Sequence, residues 1–179
     1  MLPIGPLMIE HRLIERVIAM MAAELGRIRA TNEADPSRIN MIVDFIKTYA
    51  DRCHHGKEET ILFAELEAKP LSDEHRRILD ELIAEHALGR ATTQRLVEAT
   101  ARYAGGEREA LAQIAESMAV IVDFYPKHID KEDQHFFMPV MAYFTAEEKA
   151  SMLQRGHEFD QGLIHEKYKE IVADAERIL

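Results

Sequence analysis

His54-His55-Gly56-Lys57-Glu58-Glu59-Thr60-Ile61-Leu62-Phe63 reappears 74 positions later as His128-Ile129-Asp130-Lys131-Glu132-Asp133-Gln134-His135-Phe136-Phe137. Both stretches read H-x-x-K-E-[ED] and close on an apolar pair. On a helix, residues four apart share a face with Cβ atoms about 6 Å apart. Each H-x-x-x-E therefore presents an imidazole and a carboxylate to one point. Outside these stretches stand the Glu-His pairs Glu10-His11 and Glu85-His86. Each half of the chain thus offers a lone histidine first and an H-x-x-x-E second.

The segments around these residues read as helix throughout. No sustained apolar/polar alternation and no Asn-Gly hairpin turn is present. Leu7, Ile14, Val17, Ile18, Met21, Leu25 and Ile28 recur at helical spacing, predicting a first helix from near Pro6 to near Ala30. Pro36 or Ser37 starts a second, from about Arg38 to Glu67. Ser72 caps a third, which stops at Gly105-Gly106. A fourth runs from Glu107 to about Met138, with Pro126 inside it expected to kink it or open a turn. Thr145 and Glu148 form a capping box for a short fifth helix. Gly156 is expected to separate that helix from a final one, Phe159 to Leu179.

Four long helices with short links predict an all-α fold, an up-down-up-down antiparallel four-helix bundle over residues 1–142. Residues 143–179 are expected to form a helical extension packed on it. In an antiparallel hairpin, residues at equal height are equidistant from the link. The midpoints of His11 with His54, of Glu58 with His86 and of His86 with His128 all fall at or beside predicted links. That of His75 with His128 falls inside the third helix. The spacing therefore predicts one layer holding His11, His54, Glu58, His86, His128 and Glu132. A single H-x-x-x-E is usually a solvated or salt-bridged face. Six such residues in one layer, buried without partners, would cost several kcal/mol. A metal cluster offsets that cost, and imidazoles with bridging carboxylates suit iron or manganese in a bundle core, with zinc as an alternative.

Composition excludes other classes. The chain has 179 residues, enough for one full-sized domain, and its 47% apolar and 30% charged residues exclude disorder. A net charge of −10 without a basic run argues against nucleic acid. The longest uncharged run, 134–146 with His counted as neutral, is too short for a bilayer, so no membrane is expected. The N-terminal stretch lacks the basic start of a secretory signal, and one cysteine, Cys53, fits a reducing, cytoplasmic compartment. Phosphate loops and nucleophile elbows are missing.

The order His, H-x-x-x-E, His, H-x-x-x-E resembles the hemerythrin family, in particular its HHE cation-binding domains, over about residues 6–140. The resemblance implies two non-haem iron ions with an oxo or hydroxo bridge. It assigns His11 and His54 to one iron, His86 and His128 to the other, and Glu58 and Glu132 as bridges. Oxygen-carrying hemerythrins have H-x-x-x-H on the third helix, where this chain has Arg90, and end with H-x-x-x-x-D. One histidine fewer implies more open irons. That shifts the expectation from oxygen carriage toward a protein that binds, reduces or senses O2, NO or peroxide, or an iron-sensing or iron-centre repair module. A metal-free structural bundle is the bland alternative.

Other residues rank lower. His55 lies about 100° round the helix from His54. Its alternative frame with Glu59 has no echo in the repeat, where Ile129 stands. His135 reads as a packing or supporting residue and His165 as surface or cap. His157 would reach the layer only if its helix entered the core. Glu10, Glu59, Glu85 and Asp133 adjoin the predicted ligands and could hold imidazole N–H groups, a solvated face being the equal alternative. Tyr49 and Tyr125 read as core packing, and Lys57 and Lys131 as partners of neighbouring acids. The helical tail offers a surface for a partner or for a second subunit in a homodimer.

Overall fold

The apolar stripe of the first helix, α1 (Ile4–Thr31), buries Ile4, Leu7, Ile14, Ile18, Met21, Leu25 and Ile28, with His11 in the same stripe. The structure, a computed structural model, describes residues 1–178, with side chains through 163. Asn32 ends α1 in the left-handed region (φ 55°) and gives its N–H to the Ile28 carbonyl at 2.8 Å. Asparagine adopts that conformation at little cost.

The second helix, α2 (36–67), opens with Pro36 in its first turn. Asp35 caps it by accepting from the Ser37 and Arg38 amides at 3.0 and 3.3 Å. The helix widens to π-type turns over Ile46–His55 and Glu58–Phe63. The third, α3 (Asp73–Ala104), is capped by Ser72, which accepts from the His75 amide. The fourth, α4 (110–140), runs through Pro126 and widens over Lys131–Phe136. After a 3₁₀ turn, Met141–Tyr143, the Thr145–Glu148 capping box starts α5 (Ala146–Ile178). The expected break at Gly156 does not occur, and α5 continues through it. An isolated glycine costs only about 1 kcal/mol in a helix, and here Met152, Arg155 and Phe159 hold both sides.

Among the described residues there is no strand, and no helix is long and apolar enough to cross a membrane. The core divides into two apolar clusters. One gathers Ile14 to Ile28 of α1, Ile39 to Ala50 of α2, Leu96 to Tyr103 of α3 and Ala110 to Ile129 of α4. The other gathers Ile4 and Leu7, Ile61 to Leu66, Ile78 to Leu82 and Phe136 to Met141, with Phe144 and Met152. Each fully buried aliphatic side chain contributes about 1.5–3 kcal/mol. Between the two clusters all four helices carry buried histidines, and α2 and α4 each add a buried glutamate.

α5 lies on α2. Lys57 bridges to Asp160 at 2.7 Å, Cys53 donates to Asp160 at 3.3 Å, Arg155 pairs with Glu65 and Lys69 with Glu148. Gly56 makes this approach close. A Cβ there would stand 2.8 Å from the Phe159 ring.

Candidate metal centre

The four helices bring His11, His54, Glu58, His86, His128 and Glu132 together in the layer between the clusters, each at most 1% exposed. Glu58 and Glu132 stand at the centre. Glu58 turns Oε1 to His54 Nε2 (3.3 Å) and Oε2 to His86 Nε2 (3.4 Å). Glu132 turns Oε2 to His11 Nε2 (3.2 Å) and Oε1 to His128 Nε2 (3.4 Å). His11 and His54 face each other, Nε2 to Nε2, at 2.9 Å. Each carboxylate thus spans two groups of imidazoles.

A seventh residue belongs to the layer. His55, ranked low from the sequence, is 2% exposed and stacks on His86 with ring centroids 3.9 Å apart. One of its ring nitrogens lies with one each from His86 and His128 in one group, while His11, His54, Glu58 and Glu132 form another. The cause is the local backbone. In a π-type turn, with i→i+5 bonding, successive side chains are about 80° apart rather than 100°. His54 and His55 can then both point inward. A signal was present: the second helix carries two adjacent histidines where the third helix, with Arg90, has one too few.

Every imidazole except His55 is held from behind. His11 Nδ1 meets Asp133 at 2.8 Å, His54 meets Glu10 at 2.9 Å, His86 meets Glu59 at 2.7 Å and His128 meets Glu85 at 2.9 Å. An ionised carboxylate only accepts, so each Nδ1 carries the proton and each Nε2 offers a lone pair inward. The four acids are themselves paired, Asp133 with Arg12, Glu10 with Lys57, Glu59 with Arg90 and Glu85 with Lys131. The sequence left these acids equally open to a solvated face, and the structure turns all four onto imidazoles. His55 Nδ1 stands farther from its acid, 3.5 Å from Asp51.

Burial sets the electrostatics. It raises Glu58 and Glu132 well above the ordinary carboxylate range, and for Glu132 the charge of Glu58 adds to it. Burial also holds His54 and His55 well below the ordinary imidazole range and brings His128 down to about 4. His54, His55 and His128 are therefore neutral at neutral pH, the form that ligates metal. The hydrogen bond from His86 lowers Glu59. Burial pushes Glu85 upward, but His128 and Lys131 outweigh it and hold it below its ordinary range.

The donor set fits cations. Both oxygens of Glu58 and Glu132, both nitrogens of His55, and Nε2 of His86 and His128 are buried without a hydrogen-bond partner. Leaving such groups unpaired costs about 1–3 kcal/mol each. His11 and His54 present two lone pairs to each other, which repel unless a cation lies between them. Around an octahedral cation with bonds of about 2.1 Å, neighbouring donors stand about 3 Å apart. The observed 2.9–3.4 Å separations match that spacing.

The remaining candidates lie elsewhere. His135 and His157 are exposed, and His75 bonds the Tyr143 hydroxyl at 2.8 Å. The side chain of His165 lies outside the described residues. Cys53 faces Glu10 and Asp160 rather than the imidazoles. Tyr49 stacks on Phe45, and Tyr125 lies parallel to His55.

Comparison with known proteins agrees with this constellation. Uncharacterized proteins from Mycobacterium bovis and from two strains of Mycobacterium tuberculosis are 26% identical over 149 residues, 83% of this chain and 57% of theirs. The chain thus spans little more than half the length of these relatives. The sequence model of the hemerythrin HHE cation-binding domain matches residues 2–140. With the layer of histidines and glutamates inside that span, the chain belongs to the hemerythrin HHE cation-binding domain family.

Proposed function

We propose that this chain holds two iron ions side by side and uses them to bind, reduce or sense O2, NO or peroxide. His11 and His54, with Glu58 Oε1 and Glu132 Oε2, serve the first position. His55, His86 and His128, with the other two carboxylate oxygens, serve the second. The observation that carries this reading is the pair of buried glutamates. Each aims its two oxygens at imidazoles of both groups. When bound, the metals supply electrons and an open coordination position for a small ligand. The chain's own residues fix the imidazole tautomers, exclude water with Phe63, Phe124 and Phe137 against the rings, and bridge through carboxylates that tolerate a change of metal charge. Nitrogen and carboxylate donors also suit manganese, and zinc is a further occupant the test separates.

The same reading takes residues 1–142 as an up-down-up-down antiparallel bundle and 143–179 as an extension on it. The alternation of chain segments between the two apolar clusters supports this. The single cysteine fits a cytoplasmic setting. The test is metal analysis with a visible spectrum of the purified protein. About two irons per chain, with oxo-bridge charge-transfer bands, are expected. A chain purified and reconstituted with iron that retains none overturns the reading.

A second reading, a sensing module without turnover, is favoured by one observation. Asp160 of α5 reaches His54 through Lys57 and Glu10. Metal loading that changes amide exchange in α5, without consumption of peroxide or O2, would select it.

A further inference from the structure

His55 differs from the other four imidazoles in two independent ways. Its Nδ1 is 3.5 Å from Asp51, whereas the others are held at 2.7–2.9 Å. Asp51 instead gives its carboxylate to Arg90 Nε at 2.8 Å. His55 also forms part of the wall of a cavity of about 280 Å³ between α2 and α3, with Asp51, Gly89, Arg90, Thr93 and Tyr125. That is room for several water-sized molecules. Neither the small cavity beneath α5 nor the one beside Pro126 on the α1 side is lined by any of the seven residues.

α3 supplies Gly89, Arg90, Thr93 and Gln94 to the wall, and Gly89 adds no side chain there. The Arg90 guanidinium is drawn to Asp51 and Glu59 instead of lying across the His55 ring. The wall carries Lys47 and Arg90 against Asp51, and Glu59, outside the wall but paired with Arg90, offsets the remaining positive charge. A balanced polar cavity favours a small neutral molecule over an ion.

We infer that His55 is the exchangeable donor of the second position, and that a small neutral nitrogen or oxygen donor reaches that position through this cavity by taking its place. This rests on the proposed two-cation reading. One donor enters as one leaves, so the donor number is kept. The second position can release one imidazole and still hold two with two carboxylate oxygens, the set the first position has throughout.

Chemical rescue in cobalt(II)-loaded protein tests the inference, because cobalt's visible absorption reports its donors. His55→Ala should weaken the second cobalt about 10- to 100-fold, the scale on which support of a metal site acts. Free imidazole should then restore the wild-type spectrum. It should not do so in His86→Ala, whose ring does not line this cavity, nor in His55→Ala combined with Thr93→Phe, which fills the cavity. Gln94→Trp, on the same wall but starting from an exposed position, replaces Thr93→Phe if that variant does not fold. Failure of imidazole to restore His55→Ala, or equal restoration in all three variants, overturns the inference. Wild-type protein that takes up fewer than two cobalt ions overturns the two-cation reading instead, so the two failures are distinct.

Discussion

Glu10 precedes His11 in the chain, yet its carboxylate accepts the Nδ1 proton of His54, 2.9 Å away on α2. The same crossing recurs at Glu85, which sits beside His86 but holds His128. Each acid supports the imidazole of a neighbouring helix, so helix packing and ligand orientation are fixed by the same contacts.

Replacing Glu10 with Gln removes the charge that both His54 and Lys57 use. Cation affinity should fall about 10- to 100-fold, read by competition with a chromophoric chelator. Glu107→Gln, an exposed acid paired with Arg102, should leave it unchanged.

Chelation should lower the melting temperature. A ligand at a thousand times its Kd stabilises by about 4 kcal/mol, and in a protein of this size each kcal/mol shifts Tm by about 2–4 °C. A loss on the order of 10 °C is therefore expected in a thermal melt with chelator. In the double variant Glu58→Gln, Glu132→Gln the chelator should make no difference.

The same substitution should act differently at two glycines. Nothing lies within 4 Å of a Cβ built on Gly26, inside α1, so Gly26→Ala should stabilise by about 1 kcal/mol. At Gly56 the new methyl meets the Phe159 ring at 2.8 Å. Gly56→Ala should forfeit that gain and speed proteolysis within α5, compared by urea unfolding and limited digestion.

The acid side of stability should depend on Glu24. It is buried between Arg27 at 2.6 Å and Arg38 at 3.6 Å, and the bond to Arg27 lowers its pKa. An acid lowered by folding contributes stability above its unfolded pKa, near 4.5, and loses it as pH falls through the lowered value. Glu24→Gln should cost about 1 kcal/mol at neutral pH and flatten the urea midpoint against pH below about 4.5.

Local chemistry was legible in the sequence. Pro36, Ser72 and the Thr145–Glu148 box start helices where expected, because a cap or a fixed φ acts within one turn. The six-residue layer was also legible, since height follows from counting along helices. Gly156 misled because a glycine ends a helix only when the surroundings let it. His55 escaped because the π-type turn that swings it inward is a property of the packed backbone, invisible to a fixed 100° step. The roles of Glu10, Glu59, Glu85 and Asp133 depend on which helix lies beside which, and sequence adjacency points to the wrong histidine.

In the second half of the chain, the place of His55 falls to Ile129, which packs into the apolar cluster with Ile18 and Tyr125. That one residue breaks the equivalence a faithful duplication would give, leaving three nitrogens on one side of the glutamates and two on the other. On the proposed two-cation reading, unequal hosts mean ordered filling. Scarce supply would yield a half-loaded species with a definite address, and a mixed pair of different elements would have a preferred orientation.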